Sequence, residues 1–221
     1  MGALLITESE PTPRSGRLPR AERRKQLLAA AQSVFIANGY HAAAMDDIAS
    51  EAGVSKPVLY QHFPGKLELY LALIDEQAEA LVGAIGRALS ETTDNQERVH
   101  GVLSTFFNFV EGAEGGSPGA FRLIFETDLG NDPAVRERVD RVSSEIMHAV
   151  ADTVSADTGL DRVRAELLAM VLTGGAQIVA RWWLNADRPI PKDEAVGLVE
   201  SLQWRGISNF PLFVLEQQRS L

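Results

Sequence analysis

The chain has no cysteine, only 7% aromatic residues, and no stretch of useful strand length in which apolar and polar residues alternate. Without cysteine neither a disulfide framework nor a thiolate metal site can form, a composition that suits a reducing cytosol. Its four histidines, His41, His62, His100 and His148, show no metal-ligand spacing, and no His-Glu-x-x-His helix exists. There is no strand for a glycine-rich phosphate loop to follow and no nucleophile elbow. Catalysis, a metal centre and a cofactor are therefore not expected. The opening Met1-Gly2-Ala3-Leu4-Leu5-Ile6-Thr7 carries too short an apolar run for a signal peptide. Ile6 stands where a myristoylation signal wants Ser or Thr. The most apolar later run, Leu167 to Ala180, falls short of the ~20 residues a span needs, so no membrane is implied.

What is present is an ordinary globular composition over 221 residues, 45% hydrophobic and 23% charged, enough for one or two domains with a large core. The net charge of −9 is unevenly spread. Residues 11–66 hold eight Lys/Arg (Arg14, Arg17, Arg20, Arg23, Arg24, Lys25, Lys56, Lys66) against four acids (Glu22, Asp46, Asp47, Glu51), or +4. Residues 67–221 hold 13 basic against 24 acidic residues, or −11. A basic head on an acidic body would repel a polyanion everywhere except at the head.

Helical periodicity runs through the chain, and the fold is expected to be all-α with about nine helices. Residues 1–19, with three prolines, are expected to form a disordered basic arm. The first helix should span Arg20 to Asn38, closed by Gly39, with Leu27, Leu28, Ala31, Val34 and Phe35 inward. A long fourth helix should run from Lys66 to Ser90 and link head to body. Helices are further expected over Glu97–Glu111, Ala120–Asp128, Asn131 to about Ala156, Leu160–Asn185, and from Lys192 until Pro211. A loop should cover Thr92–Gln96, and a glycine-rich break Gly112–Gly119. The helix from Leu160 is apolar nearly all round from Leu167 onward, so it must be buried on more than one side.

The most informative stretch is Met45 to Lys66. Asp46 and Asp47 suit a first helical turn, and Gly53 accepts the left-handed conformation that ends a short helix. Ser55 suits the N-cap of the next helix, where Pro57 is tolerated in the first turn. Ala49 and Gly53 are small enough for two helices to cross closely. This pattern reads as a helix-turn-helix over residues 20–66, with residues 67–221 as a second, helical domain.

Ile48-Ala49, Ala52-Gly53-Val54-Ser55, Leu59-Tyr60, His62-Phe63 and Lys66 match, in order and spacing, the DNA-binding domain of the tetracycline-repressor (TetR) family, which residues 22–75 resemble. One position departs from that pattern: Ala44 stands where relatives often place a capping Thr. Ser55, Lys56, Pro57, Val58 and Gln61 are expected along the DNA, with Lys56, Pro57, Val58 and Gln61 facing base edges. The resemblance implies that Tyr60 and His62 bond backbone phosphates and that Lys66 pairs with a phosphate. It also implies a homodimer on a palindromic operator, for which Gly174, Gly175, Ile178, Trp182 and Phe210 are the interface candidates. An apolar small-molecule effector would sit among Phe106, Phe109, Phe121, Phe125, Met147, Met170 and Gln177, with Asn108, His148 and Thr173 as further polar anchors. The functional expectation is a cytoplasmic, ligand-released repressor. The alternative is a helical small-molecule or protein-binding module whose head no longer reads DNA, which Ala44 and the acidic balance favour.

Overall fold

The computed structural model describes residues 18–112, 119–125 and 129–208. They form nine helices, with no strand among the described residues: α1 Arg20–Ala42, α2 Met45–Glu51, α3 Lys56–His62, α4 Lys66–Ser90, α5 Asn95–Glu111, α6 Ala120–Phe125, α7 Pro133–Thr158, α8 Arg162–Asn185 and α9 Lys192–Ser208. The all-α expectation holds. Most of the expected basic arm, the core of the glycine-rich break and Phe210 lie outside the described residues.

The head is built on α1. Leu27, Leu28, Ala31, Val34 and Phe35 are buried along one face of it, as the periodicity predicts, and Ile48, Ala49, Leu59 and Phe63 of α2 and α3 are buried in the same core. Gly39 breaks α1 with φ +73°, and a short turn carries on to Ala42. Gln26 Nε2 donates to Ala52 O at 2.8 Å, tying α1 to the end of α2.

The turn between α2 and α3 closes as a Schellman motif. The Gly53 N–H donates to Ser50 O and the Val54 N–H to Ala49 O, each at 3.0 Å. Gly53 has φ +62°, yet a Cβ there would meet nothing within 4 Å. Its role is thus the backbone angle, while the buried Ala49 alone is the small spacer.

Along α4, buried residues run from Leu69, Tyr70, Leu73 and Ile74 at the head to Leu81 and Ile85 in the body. One buried cluster extends unbroken from Leu27 to Val196, so head and body share a core through this helix. In the body α4 packs on α5 and α7, α7 on α8, and α5 on α9.

Three boundaries differ from expectation because of aspartates. Asp94 caps α5, accepting from the N–H groups of Gln96 (2.8 Å) and Glu97 (3.0 Å), so that helix starts at Asn95 and shortens the expected loop. Asp132 caps α7 in the same way. Asp161 caps α8 by accepting from Arg164 N–H at 3.0 Å, which leaves Leu160 in the turn. The turn between α8 and α9 takes Asp187 and Arg188 into the left-handed region, at φ 58° and 55°. It is held by Trp183 Nε1–H donating to Ile190 O at 2.8 Å.

By length and composition α8 is long and apolar enough to cross a membrane, although the Leu167–Ala180 run alone is too short. Only 28% of its most apolar stretch is buried. Ala165, Ala169, Thr173, Ala176, Ala180 and Trp183 face inward. The opposite side presents Val163, Leu167, Met170, Val171, Ile178 and Trp182, each between 58% and 75% exposed. Leu202 and Leu198 of α9 are exposed as well. The helix is therefore apolar on both faces but covered on one.

Candidate functional site

In the head, the core positions α3 by its inner side. Leu59 and Phe63 are buried, and the Arg24 guanidinium lies 4.5 Å from the centre of the Phe63 ring. Ser55, Lys56, Pro57, Tyr60 and Gln61 are left exposed, with Val58 and His62 half-buried. Seven of the eight residues assigned to DNA thus share the outer side of one short helix and its cap.

Two of them behave otherwise than the sequence suggests. Ser55 occupies the N-cap position with extended φ/ψ, but its hydroxyl makes no cap hydrogen bond. The first turn is held instead by the Ser55 carbonyl, which accepts from Val58 and Leu59 N–H. Lys66 is turned away from solvent. Its Nζ donates to Tyr40 O (2.8 Å), Ala43 O (2.9 Å) and His41 O (3.3 Å), and lies 4.5 Å from the centre of the Tyr40 ring. An ammonium has three donors, and here three carbonyls at the end of α1 take them. Lys66 thereby forms a clasp between α1 and α4, a role its implied phosphate pairing did not suggest.

The missing threonine at Ala44 is partly compensated. Asp47 Oδ2 accepts from the Ala44 N–H at 3.3 Å, half of a capping box, with nothing to supply the reciprocal hydroxyl. Asp46, the other acid of that turn, accepts from Lys56 Nζ at 2.5 Å on the exposed surface between α2 and α3. That hydrogen bond raises the Lys56 pKa and keeps its charge in place. The His62 imidazole is pushed below its ordinary value, first by burial and then by the cations Arg20, Arg24 and Arg23. These three arginines of α1 therefore extend the positive surface from α3 along the head.

In the body, a cavity of about 300 Å³ lies between α5, α6, α7 and α8. Five residues assigned to the effector line it: Phe106, Phe125, Met147, Met170 and Gln177. Phe121 stands behind the wall, fully buried, its ring 5.0 Å from that of Phe125. Phe109 is buried in the core and belongs to the packing of α5, which corrects its assignment. Asn108 is likewise used elsewhere, accepting from Lys192 Nζ at 2.9 Å, and His148 faces Glu166 at 3.8 Å. Thr173 lines the cavity but donates to Ala169 O at 2.7 Å. The amide of Gln177 lines the cavity with no hydrogen-bond partner among the described residues. Gly174 completes the lining with Ser143, Ser144 and Ile146 of α7. The α7 sequence hides them, because Ser143 and Ser144 look like any solvated helix face.

A second cavity, about 80 Å³, sits at the far end of the body beneath Trp204 and is lined largely by Val and Leu side chains. Of the interface candidates, Ile178 and Trp182 are exposed. Gly174 is open, since a Cβ there would meet nothing within 4 Å, whereas a Cβ on Gly175 would come 3.4 Å from Gln203 Nε2 of α9. That distance is ordinary contact, so Gly175 lies beside α9 without the packing requiring glycine, and Phe210 lies outside the described residues.

Comparison with known proteins agrees with this geometry. The family model described as "Bacterial regulatory proteins, tetR family" matches residues 27–73. A protein of Mycolicibacterium smegmatis, the HTH-type transcriptional activator FasR, is 48% identical over 199 residues, 90% of this chain and 89% of that one. The crystal structure of a TetR-like transcriptional regulator from Rhodococcus sp. RHA1 aligns with a TM-score of 0.69 at 30% identity, covering 87% of this chain and 99% of the other. The regulator FadR from Bacillus subtilis, solved in complex with stearoyl-CoA, shares the fold alone, with a TM-score of 0.66 at 19% identity over 81% and 96% of the two chains. With nearly half its residues identical to those of a transcription activator along nine-tenths of its length, and a helix-turn-helix at its head, the chain belongs to the tetR family of bacterial regulatory proteins and is a transcription regulator, not an enzyme.

Proposed function

We propose that this regulator acts in the cytoplasm as a homodimer that reads a palindromic operator through α3 and changes its grip when an apolar small molecule enters the 300 Å³ cavity. The observation that carries the reading is the outer side of α3, where Lys56, Pro57, Tyr60 and Gln61 stand exposed while Leu59 and Phe63 lock the helix from beneath. Gln61 and Lys56 suit adenine and guanine edges, Pro57 and Val58 suit thymine methyls, and Tyr60, His62 and Ser55 suit phosphates. Lys66 supports the head from inside.

A single seven-residue helix offers too few contacts for a long site. The uncovered stripe on α8, with Ile178, Trp182 and the open Gly174 at its centre, supports a two-fold pairing. Two heads about 34–36 Å apart would then meet successive major grooves on one face of the duplex. Effector and operator must influence each other's binding reciprocally.

The likeness to a protein named as an activator favours activation over the repression expected at first. The sign follows from where the operator lies relative to the promoter, which no residue of the chain encodes.

Selection of bound duplexes from a random pool, followed by anisotropy titrations at several salt concentrations, tests the head. A palindrome should emerge, with affinity falling steeply as salt rises. Failure to enrich any sequence at low salt would instead favour a binding module that no longer reads DNA. Stearoyl-CoA is the first effector probe to try, and a shift in operator affinity on its addition is the expected result.

A further inference from the structure

Two acids open α2, and their carboxylates are used differently. Asp47 serves its own helix, accepting from the Ala44 N–H at the start of the first turn. The Asp46 carboxylate reaches across to the next helix and accepts from Lys56 Nζ at 2.5 Å. Both side chains of this pair are 58% exposed. Tyr60, four residues on from Lys56, shares that side of α3 and is exposed too.

Stability does not account for the pair, because exposed ion pairs contribute little. Nor does attraction to DNA, since a carboxylate beside a reading helix repels phosphates. The other end of α3 is arranged differently. His62 feels the charges of Arg20, Arg24 and Arg23 from α1, and no acid is among the groups that shift it. Positive charge for the phosphate backbone is thus gathered at the end of α3, while its start carries a cation already matched by an acid.

An ammonium has three N–H donors. Asp46 takes one from Lys56 and balances its charge, which leaves two donors for acceptors that carry no charge of their own. Guanine presents such acceptors, O6 and N7, side by side in the major groove. A phosphate would meet the Asp46 carboxylate together with the ammonium and gain little from the encounter. We propose that Asp46 determines specificity: by holding Lys56 it turns a general phosphate-binding cation into a reader of one guanine in each half-site. This rests on the operator reading above, with α3 in the major groove. Asp46 itself touches no base, so it is a positioning residue that acts through Lys56.

The test compares the parent, Asp46→Asn, Lys56→Met and the double variant, each as the full chain. Anisotropy titrations use the duplex selected from the random pool and a scrambled duplex of the same length. Each guanine of a half-site is replaced in turn by 7-deazaguanine, which lacks the N7 acceptor. In the parent one such replacement should cost about tenfold in affinity, and Lys56→Met should erase that cost. Asp46→Asn should strengthen binding to the scrambled duplex several-fold at low salt and steepen its salt slope by about 0.9 per head. It should also reduce the guanine penalty to about threefold or less. With Lys56→Met in place, Asp46→Asn should leave the salt slope unchanged. Melting temperatures should match the parent's, because the pair is exposed. Should Asp46→Asn lose helicity by circular dichroism, Asp46→Ala takes its place. A salt slope and guanine penalty that stay at parental values in Asp46→Asn overturn the proposal. So does an affinity gain that is equal with and without Lys56, which makes Asp46 a general repellent of DNA, and so does a parent indifferent to every 7-deazaguanine. These results leave the operator reading standing. A parent that enriches no sequence overturns both.

Discussion

Lys66→Ala separates two roles that look alike in sequence. If the ammonium bound a phosphate, the variant would keep its stability and lose about 0.9 from the slope of log affinity against log salt. In the structure the same group donates to Tyr40 O and Ala43 O at 2.8 and 2.9 Å, with His41 O more distant at 3.3 Å. Hydrogen bonds from a charged donor contribute about 1.5–3 kcal/mol each. Because Lys66 is only half-buried, the lower end applies to the two short bonds and little to the third. Its contact with the Tyr40 ring adds about 0.5 kcal/mol. The expected loss is roughly 3 kcal/mol, which at about 2–4 °C per kcal/mol for a chain of this size is a fall in Tm of roughly 6–12 °C. Urea denaturation should show the same loss through a lower midpoint at constant slope. Operator titrations at low temperature, where the variant remains folded, should keep the parental salt slope. A variant with the parental midpoint and a shallower salt slope would refute the clasp.

Other expectations are as specific. Gln61→Ala should lower affinity by about 1–3 kcal/mol on sequences that carry the preferred base and leave the rest unchanged, as competition among operator variants would reveal. His62 is held below the usual imidazole range by burial and by Arg20, Arg24 and Arg23, so it is neutral near pH 7.5. A phosphate favours the cation, so operator binding should take up a proton and tighten as pH falls through 6.5, and His62→Gln should flatten that profile. The same depressed value has a separate consequence for folding: the neutral ring's contribution is complete above about pH 6.5 and is lost as pH falls through the lower folded value. Met147→Trp should fill the cavity and abolish the effect of stearoyl-CoA on operator affinity while operator binding itself persists, and an unchanged stearoyl-CoA response would place the effector elsewhere.

Much of the head was legible because its residues are constrained locally. Gly53 is required by a positive φ, and Leu59 and Phe63 by burial behind an eight-residue motif, so spacing alone carries the information. The Lys66 clasp was not legible because a lysine beside a phosphate and a lysine beneath three carbonyls have the same neighbours in sequence. At Ser55 the N-cap position was legible but the missing side-chain bond was not, since cap position does not dictate where a hydroxyl points. In the body, periodicity located most of the helices but could not tell two kinds of apolar residue apart. Phe109 and Phe106 differ only in whether a neighbouring helix fills the space beside them. On α8, a residue facing the core and one facing outward are both hydrophobic, so the two-sided pattern was visible while which side its own chain covers was not.

The unbroken core along α4 constrains any signal that passes through it. The buried residues of the head run on into those of the body, and the 25-residue helix is about 37 Å long at 1.5 Å per residue. A stiff lever of that length tilted by about 5° sweeps its tip by roughly 3 Å. Close to one base-pair rise, that displacement is enough to put a reading helix out of step with its groove. Were the proposed effector to displace α5 or α7, the helices packed on α4, a shift that small would retune the grip on an operator, and gearing rather than unfolding would be the natural language for its action.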